Sequence, residues 1–255
     1  MNTLLQYDIL RLKAFQNNLS VRNSIAINDT GELTLLKFIP INYFNYCIGK
    51  INSTEVLDYV KNFYADISEN KHQILIDSKD YLSEKIIHRS SNYSLEAKIS
   101  IMTLMPEDFN EHLIHPEVEL IPASGQNIQE FAWLYLACFE AENRHKESVE
   151  ENFRLKLTVD GLQLYFIYYN HKPIGITGLY FHPQFTILSV GAILKEYRFL
   201  GLHKSALSWR IQKSKATTGS KPIFAWAYKD SISYQNMLKI GMTVSQELFA
   251  FQHAG

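Results

Sequence analysis

Cysteine is almost missing from these 255 residues: Cys47 and Cys138 are the only two, far apart in the chain. That excludes a disulfide-stapled scaffold, and the pair has no metal-ligand spacing. Both read as reduced, buried thiols of a cytosolic protein. An excess of charge is missing too. The net charge is −1 and there is no basic run or basic–aromatic repeat, so nucleic acid and acidic membrane surfaces are not expected as partners. Long apolar runs are also absent. The longest, Phe131 to Phe139, is far short of the about 20 residues that span a bilayer. The N-terminal MNTLLQYDILRLKAF lacks the unbroken apolar core and small-residue cleavage site of a secretory signal. A soluble cytoplasmic protein is expected. Finally, no glycine stands between Gly49 and Gly125, which excludes a glycine-built phosphate cradle there.

What is present suffices for a sizeable core: 46% of residues are apolar and 20% charged. The length fits one large domain or two small ones. Thr3 to Asn17 has the apolar spacing of an amphipathic helix, with Leu4, Leu5, Ile9, Leu10, Leu12 and Phe15 largely on one side. Strands are expected over 32–39, 43–48 and 73–76, with a long one over 94–105. A helix starts at Ser53-Thr54-Glu55 and runs through Ile67, and a short one covers 80–88. Between Met105 and Val118 prolines, acids and amides cluster. That stretch is the best domain boundary, and it divides the chain into 1–115 and 116–255.

The second part reads as strand (118–123), helix (127–140), helix (148–157), then two strands (162–169 and 173–181) joined at Asn170-His171-Lys172. Strands over 187–194, 222–228 and 243–251 and a helix over 231–240 follow. The helix 127–140 is apolar nearly all round and should be buried on more than one side. The order predicts an α/β (α+β) fold, with a mixed sheet and helices on both faces.

The most informative stretch runs from Ile187 to Ile211. An apolar, β-branched run ends in the polar turn Lys195-Glu196-Tyr197-Arg198, and a helix starts after Gly201. A helix leaving such a turn points several unpaired N–H groups at one spot, where its dipole favours an anion.

These residues resemble the GNAT (Gcn5-related N-acetyltransferase) superfamily, whose pyrophosphate loop follows Arg/Gln-x-x-Gly-x-Gly/Ala after an apolar strand and Glu-Tyr. Here the loop reads Glu196-Tyr197-Arg198-Phe199-Leu200-Gly201-Leu202-His203. A second motif of that family, a helix ending in apolar-Gly-Phe, matches Ser233 to Met242. The likeness covers roughly the second half. The first half, from Phe44-Asn45-Tyr46-Cys47-Ile48-Gly49 onwards, resembles the smaller degenerate GNAT-like α/β domain of a two-domain branch, a scaffold and substrate wall.

The resemblance implies transfer of an acetyl group from acetyl-CoA to an amine of a small molecule or peptide, without a metal. It assigns the pyrophosphate to backbone groups of Arg198, Phe199, Leu200, Gly201, Leu202, His203 and Lys204. The pantetheine arm falls to Ala192, Ile193 and Leu194, with Asn236 as a further contact. Gly191 suits a bulge where two strands splay, or close packing. His203 stands where Gly or Ala is usual, so it either contacts the phosphates or points aside. The family's tyrosine acid is replaced by Met237. Tyr234 and Tyr228 are substitutes, or the thiolate leaves unaided. Glu140 and Glu142 are candidates to bind or deprotonate the amine. Cys138, inside an apolar run, reads as a packed thiol. A different class stays open: an acyl-CoA-binding sensor or structural protein without turnover. A third is a plain scaffold that presents helix 127–140 to a partner. Acceptor, acyl length and oligomeric state do not follow from the residues.

Overall fold

The computed structural model describes residues 3–68, 71–111, 114–141 and 143–254. The chain divides into two compact units. The first holds residues 1–101, 226–229 and 244–255, and the second holds 102–225 and 230–243. No single cut in the sequence separates them, because the C-terminal strand packs in the first unit.

In the first unit, β1 (Ile25–Asp29), β2 (Leu33–Phe38), β3 (Tyr46–Gly49), β4 (Gln73–Asp77), β11 (Thr243–His253) and β5 (Tyr93–Leu104) lie in the order β1-β2-β3-β4-β11-β5. β3 and β4 run parallel, while β1–β2, β2–β3 and β4–β11 are antiparallel. Strand alternation explains the layers. Leu33 and Leu35 of β2 face the core shared by Leu57 and Val60 of α2 (Thr54–Phe63), Ile87 of α3 (Tyr81–Arg89) and Phe251 of β11. Phe38, on the opposite face, meets Phe15 of α1 (Thr3–Phe15). Ser53 caps α2 through the N–H of Val56, and Asp80 caps α3 through that of Ser83. Buried Asp8 and Arg11 of α1 form an ion pair, and Tyr46 donates its hydroxyl to Asp8 at 2.7 Å. The short strand β1 is not expected from the sequence, since Asn28 and Asp29 cut its apolar run to three residues.

The second unit holds β6 (Val118–Pro122), β7 (Leu162–Tyr169), β8 (Lys172–His182), β9 (Phe185–Ile193) and the start of β10 (Ile223–Tyr228), in the order β10-β9-β8-β7-β6. The pairs from β6 to β9 are antiparallel, and β9–β10 is parallel. Asn170 and His171 turn the β7–β8 hairpin with φ of 49° and 60°, the two positive values a tight hairpin turn needs. α4 (Ile128–Cys138) packs its Ile128, Phe131 and Ala132 with Phe153 of α5 (Lys146–Leu157) and with Val190 and Ala192 of β9. Helix α6 (Leu202–Thr218) packs Leu202 and Ala206 against Ile193, on the other face of β9. Burial on more than one side is the expectation, but α4 leaves Trp133 47% exposed. Its apolar stripe is wider than the face it buries.

Candidate coenzyme site on β9, α6 and α7

The site grows out of the way β9 ends. Its ladder with β10 covers two pairs, Thr186–Ile223 and Ile187–Phe224. On its other side β9 stays paired with β8 as far as Gly175–Ile193, with one irregularity between Thr177 and Leu179. The N–H of Leu194 bonds the carbonyl of Ile174 at 2.8 Å. Antiparallel pairs alternate, so Leu194 and Ala192 turn their backbone groups towards β8. Ile193 and Gly191 turn theirs to the opposite, open edge. Of the three residues expected to pair with a pantetheine arm, only Ile193 turns its backbone there, with Gly191 beside it; their carbonyls are taken by Arg198 and the His203 ring, which leaves their N–H groups.

Gly191 pairs in register with Thr177, so the irregularity precedes it. The glycine serves close approach: a Cβ would stand 3.0 Å from Nη2 and 3.3 Å from Nη1 of Arg210.

After β9 a single 3₁₀ turn, Lys195–Tyr197, leads to the loop. Phe199 has φ 69° and is 92% exposed. Gly201 is the N-cap of α6 with φ 77° and ψ −3°. A side chain would find space there but not a relaxed backbone. The first N–H groups of α6, from Leu202 to Lys204, have no partner within the helix. Leu202 itself is a core residue at 1% exposure. Leu200 is exposed and Lys204 half-buried.

Arg198 uses its side chain as a clamp. Its guanidinium donates to the carbonyls of Cys138 (2.8 Å) and Ile193 (3.3 Å) and to Oε1 of Glu140 (3.1 Å). Lys195 takes Oε2 of Glu140 at 3.0 Å. These bonds from Lys195 and then Arg198 hold the Glu140 carboxyl below its usual range. Glu140 also has a left-handed backbone, φ 52°. The pair of cations at the C-terminal end of α4 suits the negative end of its dipole. Glu142 lies outside the described residues.

His203 neither points aside nor faces the loop. Its Nδ1 lies 3.2 Å from Nδ2 of Asn236 on α7 (Ile232–Lys239), and its ring also bonds the backbone of Gly191. An amide nitrogen only donates, so Nδ1 accepts and Nε2 carries the proton towards Gly191. Burial first, then the charge of Arg210, lowers its pKa to about 4. The ring is therefore neutral near pH 7 and ties β9, α6 and α7 together. Asn236, a coenzyme contact on the family resemblance, sits in this cluster.

Tyr234 is half-buried in the first turn of α7, where Ser231 accepts the Tyr234 N–H at 3.2 Å. Met237 is 5% exposed and has no proton to give. Tyr228 is 63% exposed and its segment belongs to the first unit. Burial pushes the Cys138 thiol up to about 12, which leaves it protonated and inert. Among the described residues no group of His, Cys, Asp and Glu is arranged to hold a metal ion. Among these residues no helix is long and apolar enough to cross a membrane.

Sequence reasoning missed Arg210. Its signal was a charge seven residues after His203, on the same face of the helix as Leu202, Ala206 and His203.

This architecture has known counterparts. No family model matches the chain, and no curated protein does. Solved structures do. A functionally unknown conserved protein from Staphylococcus epidermidis has TM-score 0.68 and 13% identity, over 89% of this chain and 92% of its own. A GCN5-related N-acetyltransferase from Kribbella flavida has TM-score 0.64 and 13% identity, over 97% and 96%. A tandem GNAT protein from the clavulanic acid biosynthesis pathway has TM-score 0.61 and 8% identity, over 97% and 94%. The chain has the mixed α/β fold of the GNAT superfamily along nearly its whole length.

Proposed function

We propose that this protein transfers an acetyl group from acetyl-CoA to an amine on a small molecule or peptide. The observation that carries the reading is the junction of β9 and α6. The open edge of β9 at Gly191 and Ile193 leads directly to a glycine-capped helix N-terminus. The cap accommodates the pyrophosphate on the free N–H groups of Leu202, His203 and Lys204, and the N–H groups of Gly191 and Ile193 donate to carbonyls of the arm. Phe199, Leu200 and Gly201 contribute backbone N–H groups from the loop. Arg198 shapes that loop through its clamp on Cys138 and Glu140, so Glu140 acts in this reading as an anchor rather than as the base. Tyr234 remains the candidate acid within the second unit. Residues 116–255 carry the chemistry and 1–115 the scaffold, in the cytoplasm.

Isothermal titration with acetyl-CoA tests this. Binding is expected for the native chain, with affinity lost by at least tenfold in Gly201→Trp. No binding to the native chain overturns the reading.

Buried Met237, with no proton to give, favours a second reading, an acyl-CoA sensor that does not turn over. Binding without thiol release over a broad panel of amines would select it.

A further inference from the structure

Among the described residues of the second unit, Arg210 is the one buried charge that the site description leaves unexplained. It is 2% exposed on α6. Its Nη1 lies 3.5 Å from the carbonyl of Val190, and its Nε has no hydrogen-bond partner. No carboxylate among the described residues pairs with it. Burial brings its pKa down to about 10, so the guanidinium stays charged at neutral pH. The other deeply buried arginine, Arg11, is matched by Asp8. A buried cation without a counter-ion is costly, and Arg210 has none among the described residues. His203 and Asn236 lie on its side of β9, and both are neutral there.

The proposed reaction makes an anion. The amine nitrogen attacks the acetyl carbonyl carbon and the C–S bond breaks. Its electron pair goes to sulfur as thiolate, and the surplus proton on nitrogen leaves to water. With the pyrophosphate at the α6 N-terminus, the arm runs back along the open edge past Ile193 to Gly191. Its sulfur end then arrives at Val190 and Gly191. A Cβ on Gly191 would stand against the guanidinium, so the glycine lets that charge lie directly against the backbone of β9 at Val190 and Gly191.

We propose that Arg210 is the positive charge that stabilises the coenzyme A thiolate as it leaves. This rests on the acyl-CoA reading above, and its test needs no acceptor. Coenzyme A carrying ¹³C next to sulfur is bound to the full chain, and the carbon shift is followed against pH. The bound thiol is expected to titrate at least one unit below the free value of about 8.5. Arg210→Lys keeps most of that depression and Arg210→Met abolishes it. A bound thiol that titrates like free coenzyme A in the native chain overturns the proposal. So does a depression that survives in Arg210→Met. If that variant does not fold, the native chain and Arg210→Lys still decide, because charge retention predicts a depressed value in both. Coenzyme A that fails to bind at all overturns the acyl-CoA reading itself, a result distinct from a bound but unshifted thiol.

Discussion

At the scale of single residues, the site depends on groups whose chemistry is set by their neighbours. His203 is the clearest case. Its imidazole would titrate near 6.5 in the unfolded chain but near 4 in the fold. The unfolded chain therefore binds the proton more readily between those values. Stability rises with pH across that window and is lost as pH falls from 6.5 towards 4. The shift corresponds to about 3 kcal/mol. In urea denaturation at pH 7 and pH 4.5, His203→Gln should lose that part of the pH dependence. An unchanged slope would mean that His203 is not held neutral. Arg198 teaches a related lesson. On the family pattern its backbone is what counts, yet its guanidinium joins Cys138, Ile193 and Glu140. Sequence alone places a cation near a phosphate loop, but it does not tell that the cation's hydrogen bonds run to the chain itself.

At the scale of elements, most of the order was legible. Thr3–Phe15, Thr54–Phe63 and Tyr81–Arg89 form where apolar spacing and capping residues place them. So do the β7–β8 hairpin and the strand–turn–helix of β9 and α6. Two features were not. β1 is too short to announce itself and is held by its register with β2, from Ile25–Phe38 to Asp29–Thr34. The edge parity of β9 depends on which neighbour takes each N–H, and that is a property of the sheet. Helix α7 offers a local test. Ser231 accepts the N–H of Tyr234 at 3.2 Å and holds the first turn, on the helix that presents Asn236. Ser231→Ala should cost about 1 kcal/mol of stability in chemical denaturation. A change below about 0.3 kcal/mol would show that the cap does not hold the helix.

At the scale of the whole molecule, the chain's division follows contacts rather than sequence order. The C-terminal strand pairs with β4 from Leu248–Asp77 to Gln252–Gln73, and Phe251 lies in the core of the first unit. Ending the chain at Thr243 removes an interior strand and a fully buried aromatic side chain. Deleting a buried phenylalanine side chain alone costs about 3–5 kcal/mol. Limited proteolysis of that truncated protein should therefore cut within residues 25–101 much faster than in the full chain. Equal protection would mean that the strand is dispensable. By the same reasoning, an isolated fragment of residues 1–115 lacks a strand of its own sheet.

The sequence by itself determined most of the elements, the GNAT likeness of the second half and the position of the glycine-capped helix start. All three rest on local pattern: apolar period, caps, and a glycine that opens a helix. It also determined that Met237 has no proton to give. Tertiary structure decided what those patterns could not hold. It turned Gly191 and Ile193, rather than Ala192 and Leu194, to the open edge. It held His203 neutral between two elements and buried Arg210 beside a glycine, with no counter-charge among the described residues. These outcomes depend on which distant groups share a dry space, and no spacing along the chain encodes that.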